Sequence, residues 1–129
     1  MARALAALAD RPKLGVVELH SLFKGFADPV RIRILNLLAA GELCVCDICD
    51  ILKLPQSSIS RHLAYLRRTR LVDCEREGKF AHYRFAEPRN AVHRNLQDCV
   101  RSCFIGLPLL DTERRLAIKR VATRALEPC

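Results

Sequence analysis

The chain lacks tryptophan and has few aromatic residues, with two Tyr and five Phe among 129 residues. Half of the residues are hydrophobic, so we expect a core built mainly from aliphatic side chains. No apolar run reaches membrane-spanning length, and the apolar tract at residues 5–9 is too short for a signal peptide. We therefore expect a cytoplasmic protein that makes no membrane contact.

The sequence also lacks the residue groupings of common enzyme active sites. It contains no Ser/His/Asp or Cys/His pairing that suggests catalysis, and no glycine-rich phosphate-binding loop. We predict a protein that is not an enzyme and that holds no permanently bound cofactor.

Acidic residues are in the minority, which gives a net charge of +8 and a pI near 9.5. Such a charge favours a polyanionic partner, although it does not by itself separate DNA from RNA or an acidic membrane surface. The length fits a single domain.

Cysteine is abundant, with seven in the chain. The odd number and a reducing compartment argue against a disulfide framework. Three of the seven, Cys44, Cys46 and Cys49, fall within six residues. The alternative is a structural role, in which these cysteines are small apolar residues packed in an amphipathic helix.

Apolar spacing predicts a helix over residues 16–26, and Asp28 followed by Pro29 is a helix start signal for a second helix that ends at Gly41. A third helix is expected from about residue 46 to 52. A fourth, over residues 56–69, has apolar residues inside and serines and arginines outside. This pair matches a helix-turn-helix.

Two alternating segments, residues 71–76 and 80–85, flank a short turn that contains Gly78 and predict a basic two-stranded hairpin. A further helix is expected from Pro88 onward, and Asp111 is expected to cap a last basic helix. The predicted fold is mainly α with a small β-hairpin, a winged helix-turn-helix. We divide it into a flexible extension at 1–15, the winged domain at 16–104, and a basic helix or tail at 105–129.

The segment from about residue 17 to 87 resembles the ArsR/SmtB family of winged-helix metalloregulatory repressors. The resemblance rests on Glu42-Leu43-Cys44-Val45-Cys46-Asp47-Ile48-Cys49, similar to the arsenic-site signature of the family, and on the recognition-helix motif Gln56-Ser57-Ser58-Ile59-Ser60-Arg61-His62-Leu63 with Leu66-Arg67. It implies a homodimer, with an interface of N-terminal and post-wing helices, that represses a resistance operon until arsenite or antimonite binds.

The chemistry of the three cysteines agrees with such an inducer. Trivalent arsenic and antimony are soft and prefer thiolate ligands, and three sulfurs satisfy a pyramidal site. Cys46 and Cys49 share a helix face, whereas Cys44 lies off that face, so all three converge only if Cys44 precedes the helix or the first turn opens. A helix N-terminus is also expected to lower the thiol pKa values.

A second or even operative site remains open at Cys99 and Cys103, four residues apart on one helix, with Cys129 from the tail. These cysteines are otherwise core or interface residues. The zinc site of the family is disfavoured, because His93 has no Asp two residues before it.

Contacts to operator DNA are predicted for the polar face of the fourth helix and for the hairpin. The predicted residues are Gln56, Ser57, Ser58, Ser60, Arg61, His62, Arg67, Arg76, Lys79 and Arg84. Hydroxyls and guanidinium groups suit base edges and phosphates in the major groove, and the hairpin residues suit phosphates or the minor groove. Solvation of an exposed hairpin is the alternative for Lys79 and Arg84.

Three other functions stay open from the sequence. One is a cadmium or lead sensor on the same fold, and another is a thiol redox sensor that uses Cys44/Cys46 or Cys99/Cys103. The third is a metalloid-buffering protein that binds no specific DNA.

Overall fold

The computed structural model describes residues 15–126, which form six α-helices and a three-stranded antiparallel sheet. The elements are α1 (Val16–Phe26), α2 (Pro29–Leu38), β1 (Leu43–Cys44), α3 (Val45–Leu52), α4 (Gln56–Arg68), β2 (Val72–Glu77), β3 (Phe80–Phe85), α5 (Ala91–Cys103) and α6 (Pro108–Leu126). Residues 1–14 of the predicted extension, and Cys129, lie outside the described residues. Across residues 15–126, no helix combines the length and the apolarity needed to cross a bilayer.

Helix α2 lies at the centre of the core, and its Ile34, Leu35, Leu37 and Leu38 are buried. Most other buried side chains are leucine, isoleucine or valine. Tyr83 is the single aromatic side chain among the buried hydrophobic residues of the described region. The prediction of an aliphatic core is therefore confirmed.

The start of α2 follows the predicted capping pattern. The Asp28 carboxylate accepts hydrogen bonds from the N–H groups of Val30 at 2.8 Å and Arg31 at 3.1 Å, and Pro29 occupies the first helical turn. These bonds satisfy donors that a helix start leaves free, and a cap of this kind typically contributes about 1 kcal/mol.

Helices α3 and α4 form the predicted helix-turn-helix. Their facing sides are apolar and buried, with Ile48 and Leu52 on α3 and Ile59 and Leu63 on α4. The turn between them is closed by Lys53, which adopts the left-handed conformation (φ 56°). Burial of one face of α4 leaves its polar face outside.

The predicted hairpin is confirmed, with Glu77 paired to Phe80 across a two-residue turn. Gly78 in that turn has φ +61°, a conformation that glycine adopts without strain. The prediction of two strands was incomplete, however. The short strand β1 adds to the other edge of β3, pairing Leu43 with Tyr83 and Cys44 with His82.

The last helix begins earlier than predicted. It starts at Pro108. Proline has no backbone N–H, and it is tolerated in the first turn of a helix because an N–H there would have no partner within the helix. Asp111 lies inside the first turn, where its carboxylate accepts from the N–H of Gly106. The expectation that Asp111 precedes this helix as its cap was wrong.

Polar contacts fix α6 against α2. Arg33 on α2 donates two hydrogen bonds to the carboxylate of Glu113. The side-chain oxygen of the buried Asn36 accepts a hydrogen bond from Arg114 at 2.7 Å. Arg114 also donates to the carbonyl of Val100 at 2.6 Å and so ties α6 to the end of α5.

We expect the stability of the fold to fall when the pH drops below about 6.5, because of the buried His93 on α5. This side chain is 1% exposed, and burial lowers its pKa from 6.5, against the opposing charge of Asp73. In that range His93 binds a proton in the unfolded chain but not in the folded chain, so the free energy of unfolding decreases. Urea unfolding at about pH 7.5 and about pH 5.5, on the wild type and His93→Gln, measures this. The wild type should lose more stability between the two pH values than the variant; equal losses would contradict the assignment.

Candidate functional site

Cys44 lies where the sheet meets the helix-turn-helix. It is the last residue of β1 and the N-cap residue of α3, with an extended backbone, and its side chain is 1% exposed. Cys44 therefore precedes the helix, which is one of the two arrangements that convergence of the three sulfurs requires.

The other two cysteines of the cluster lie on α3 and are more accessible. Cys46 is exposed, and Cys49 one turn later is half-buried. Across residues 15–126, no three His, Cys, Asp or Glu side chains are grouped closely enough to hold a metal ion. The donor types suit a soft trivalent ion, but the sulfurs are not gathered around one point.

The C-terminal part of α6 crosses the start of α3. The Arg124 guanidinium donates to the sulfur of Cys44 at 2.6 Å and pairs with the carboxylate of Asp47. Arg120 reaches Asp47 at 2.8 Å and Asp50 at 3.3 Å. Asp47 is 4% exposed, so its charge is held inside the protein by two cations from another helix.

The pKa values of Cys44 and Cys49 shift in the direction opposite to the one expected for a helix N-terminus. Burial raises the pKa of Cys44 to about 11, and the charge of Asp47 adds to the rise, against the lowering by the nearby N–H of Asp47 and by Arg124. Burial and the charges of Cys46 and Asp50 raise the pKa of Cys49. Desolvation of the thiolate outweighs the helix dipole at these two sulfurs.

The second cysteine group lies at the end of α5. Cys99 is half-buried and Cys103 is exposed, and the hydrogen bond between them raises the pKa of Cys99. The two thiols are therefore neighbours. Cys129, the third member predicted for this group, lies outside the described residues.

The predicted DNA-contacting face of α4 lies at the surface. Ser57, Ser60 and Arg61 are exposed and Ser58 is partly exposed, and a shallow depression is lined by Ser57, Ser58 and Arg61. Gln56 and Arg67 are exposed at the two ends of the helix. The hydrogen-bonding groups of this face are free to meet a ligand.

His62 differs from these residues, because it lies on the packed face of α4 and is 9% exposed. Its Nδ1 is 3.4 Å from Nη1 of Arg31 and 3.9 Å from the carboxylate of Asp28. Burial lowers its pKa, against the opposing charge of Asp28. These contacts favour a structural role for His62 between α4 and α2, and a direct DNA contact by His62 stays a prediction.

The three basic residues predicted on the hairpin have different surroundings. Arg76 and Lys79 are exposed, and Lys79 lies in the turn. Arg84 is paired with Glu75 at 2.9 Å and with Glu42 at 3.5 Å. Its charge is therefore largely matched within the protein, which leaves the Arg84 guanidinium less available to a phosphate than the side chains of Arg76 and Lys79.

Sequence reasoning missed Asp47, Arg120 and Arg124 as parts of the cysteine site. Arg120 lies 73 residues after Asp47 and Arg124 lies 80 residues after Cys44, and no local pattern links them. The burial of His62 had a signal, since it falls three residues after Ile59 and one before Leu63, on the apolar face of the helix.

The chain is similar in sequence to known regulators. The profile of the bacterial regulatory protein family arsR matches residues 28–73. The chain is 50% identical over 66 residues to the arsenical resistance operon repressor of Escherichia coli, which covers 50% of this chain and 56% of that protein. It is 41% identical over 78 residues to the arsenic resistance transcriptional regulator ArsR2 of Pseudomonas putida, covering 59% of this chain and 68% of that protein.

A homolog of the cadmium resistance regulatory protein CadC from Staphylococcus aureus is 32% identical over 75 residues, covering 57% of this chain and 62% of that protein. The match thus spans little more than half the length of the Escherichia coli and Staphylococcus proteins.

Solved structures share the fold. HlyU from Vibrio cholerae superposes with a TM-score of 0.62 at 27% identity, covering 72% of this chain and 98% of that chain. The homodimeric winged helix-turn-helix DNA-binding domain of a possible ArsR-family regulator from Mycobacterium bovis gives 0.54 at 26% identity, covering 87% of this chain and 84% of that chain. The fold is therefore a winged helix-turn-helix.

We expect the three clustered thiols to react with iodoacetamide in the order Cys46, Cys49, Cys44, following their exposure. Timed alkylation of the reduced native protein, read by peptide mass spectrometry, gives each rate, and denatured protein serves as the reference for equal access. A Cys44 rate equal to that of Cys46 would contradict the buried contact of Cys44 with Arg124.

Proposed function

We propose, on the premise that this chain belongs to the arsR family of bacterial regulatory proteins, that it is a transcriptional repressor which As(III) or Sb(III) releases from operator DNA. The observation that carries the proposal is the position of the cysteines. Cys44, Cys46 and Cys49 span the junction between the sheet of the wing and the first helix of the helix-turn-helix.

The surface of α4 supports DNA binding. Its exposed hydroxyls and Arg61 have the size and donor groups that read base edges in a major groove, and Arg76 and Lys79 lie on the wing beside it. The net charge of +8 supplies the attraction to phosphates, so affinity should fall steeply with salt.

The donor set supports a soft trivalent inducer. Each thiol that reacts with arsenous acid forms an As–S bond, and its proton leaves with a hydroxide of the acid as water, without any change of oxidation state. Three such steps use Cys44, Cys46 and Cys49 and leave no net charge to be buried. Oxygen-preferring ions find no comparable site in this cluster.

Release requires the inducer to bind the DNA-free form more tightly than the DNA-bound form. Because the coupling is reciprocal, operator DNA weakens inducer binding by the same factor, and each tenfold effect corresponds to about 1.4 kcal/mol. Cys44 is well placed to carry the coupling, since its backbone belongs to β1, which pairs with the wing strand β3, and to the start of α3.

A homodimer is the proposed DNA-binding species. Val16 and Val17 on α1 and Leu107 and Leu109 near the start of α6 are large apolar residues that the single chain leaves exposed. The Mycobacterium bovis domain with this fold is homodimeric. Two recognition helices related by a two-fold axis would read half-sites about one helical turn apart.

The thiol pair on α5 supports a second candidate function, a thiol redox sensor. Cys99 and Cys103 are hydrogen-bonded neighbours, and Cys103 is exposed. Release of operator DNA by peroxide, reversed by a thiol reductant and independent of arsenite, would support that function. Cadmium or lead at the Cys44 cluster is an alternative ligand choice, because both ions also favour thiolates.

Arg61→Ala is expected to weaken operator binding by about 1–3 kcal/mol, the range for a guanidinium that reads a base. Arg115→Ala is the matched control, because it removes the same charge from an exposed position on α6, outside the predicted DNA-contacting residues. Fluorescence anisotropy on promoter DNA measures both. Equal losses in the two variants would show that only net charge matters and would contradict base reading by α4.

Cys46→Ser is expected to keep operator binding and to lose release by arsenite, because its exposed side chain supplies a ligand and little packing. The same anisotropy titration measures it beside Cys103→Ser, which alters the other thiol group. Release that persists in Cys46→Ser and disappears in Cys103→Ser would move the operative site to α5. Loss of DNA binding itself in Cys46→Ser would make the residue structural.

A further inference from the structure

The contact between α6 and the cysteine cluster bears directly on how an inducer could enter. Arg124 touches the one thiol of the three that is fully buried, with Nη2 at 2.6 Å from Sγ of Cys44. The same guanidinium pairs with Asp47 through its Nε. One side chain of α6 therefore holds both the first residue of the cluster and the first turn of α3.

The packing around this contact is continuous. Ala117, two turns before Arg124, is buried in the core, and Val121 packs against the backbone of Gly41 just before β1. Arg120 adds a second cation to Asp47 and reaches Asp50. The C-terminal half of α6 thus covers the segment from Gly41 to Asp50 with both apolar and ionic contacts.

This arrangement is incompatible with a three-sulfur site. A pyramidal ion needs the Cys44 sulfur beside those of Cys46 and Cys49, yet in the described residues no three donors are grouped for a metal. To bond to arsenic, the Cys44 sulfur must also direct a lone pair toward the ion. The Arg124 guanidinium now occupies the space beside that sulfur. The thiols must regroup before a third As–S bond can form.

We propose that Arg124 is a positioning residue that holds Cys44 away from the other two thiols, so that completion of the three-sulfur site detaches the C-terminal part of α6 from α3. The proposal rests on the proposed function in one respect, that these three cysteines are the inducer ligands. Cys46 and Cys49 take the ion first, and Cys44 joins last, when its contact with Arg124 breaks.

The order follows from exposure. Cys46 is open to solvent and Cys49 is one turn away on the same face, so two As–S bonds can form with α6 still in place. The third bond replaces a hydrogen bond from a charged donor and separates Arg124 from Asp47. The inducer must supply the free energy of that change, and inducer binding and α6 docking therefore oppose each other.

The first test uses the protein without inducer. Arg124→Leu is expected to raise the alkylation rate of Cys44 by about tenfold, which corresponds to about 1.4 kcal/mol of lost protection. Arg120→Leu is the matched control, since it removes an Asp47 partner and leaves Arg124 on Cys44. An unchanged rate in Arg124→Leu, or an equal rise in Arg120→Leu, overturns the assignment to Arg124.

The second test needs no variant of Arg124 and so does not depend on its folding. Hydrogen exchange of the backbone amides in residues 119–126 is followed while the reduced wild-type protein is titrated with arsenite. Protection of these amides is expected to fall as one equivalent of arsenite binds. Cys44→Ser, in which the hydroxyl can still accept from Arg124 but forms no As–S bond, is expected to keep the protection.

The outcomes separate this inference from the function on which it rests. Arsenite binding, followed by loss of free thiols, with unchanged exchange in residues 119–126 overturns the positioning role of Arg124 and leaves the inducer site standing. Absence of any arsenite binding at Cys44, Cys46 and Cys49 overturns both. Equal loss of protection in the wild type and Cys44→Ser also overturns the role, because detachment would then not require the third sulfur.

Discussion

The buried carboxylate of Asp47 is the constraint on which the arrangement of this molecule depends. A charge that is 4% exposed must be paired within the protein, and its partners Arg120 and Arg124 both come from α6. The pairing fixes the start of α3 and thereby the backbone on which the three cysteines lie. It also holds the far end of a helix whose near end is fixed by Glu113 and Arg114 to α2. Removal of one partner alone would leave a buried charge poorly compensated, which costs more than the pair contributes.

The proposed DNA-contacting surface and the cysteine cluster share the same few elements. Helix α4 is positioned from within by apolar contacts to α3 and by the group formed by His62, Arg31 and Asp28, with Tyr65 stacked 4.1 Å from the Arg31 guanidinium. The wing strand β3 is flanked by β1 on one side and β2 on the other. A displacement at Cys44 therefore has two short routes to the residues proposed to contact DNA, one through α3 to α4 and one through β1 to the wing. Neither route needs a long chain of intermediates.

Local patterns in the sequence predicted most elements, because those elements are determined by neighbouring residues. The Asp28-Pro29 start, the apolar spacing of α4 and the Gly78 turn are signals that act over a few positions. The residues that surround the cysteines were not predictable in this way. Arg120 and Arg124 meet α3 only through the tertiary fold, and the pairing of Arg84 with Glu75 depends on the strand register. The two-residue strand β1 is too short to show an alternating pattern. The early start of α6 at Pro108 was missed because Asp111 offered a plausible cap of its own.

The N-cap position of α3 is occupied by Cys44, which is a proposed inducer ligand and a poor helix cap. Serine, threonine, aspartate and asparagine are the residues that usually satisfy the free N–H groups at a helix start, whereas the Cys44 sulfur beside the N–H of Asp47 is a weaker acceptor than their oxygens. Helix α3 is also short, at eight residues, so little cooperativity holds its first turn together. The thiol therefore occupies the one place in this helix where a better-suited residue would have given a firmer start. With so weak a cap, the first turn depends on the contacts that Arg120 and Arg124 make from α6, and it would be free to rearrange once the proposed inducer breaks them.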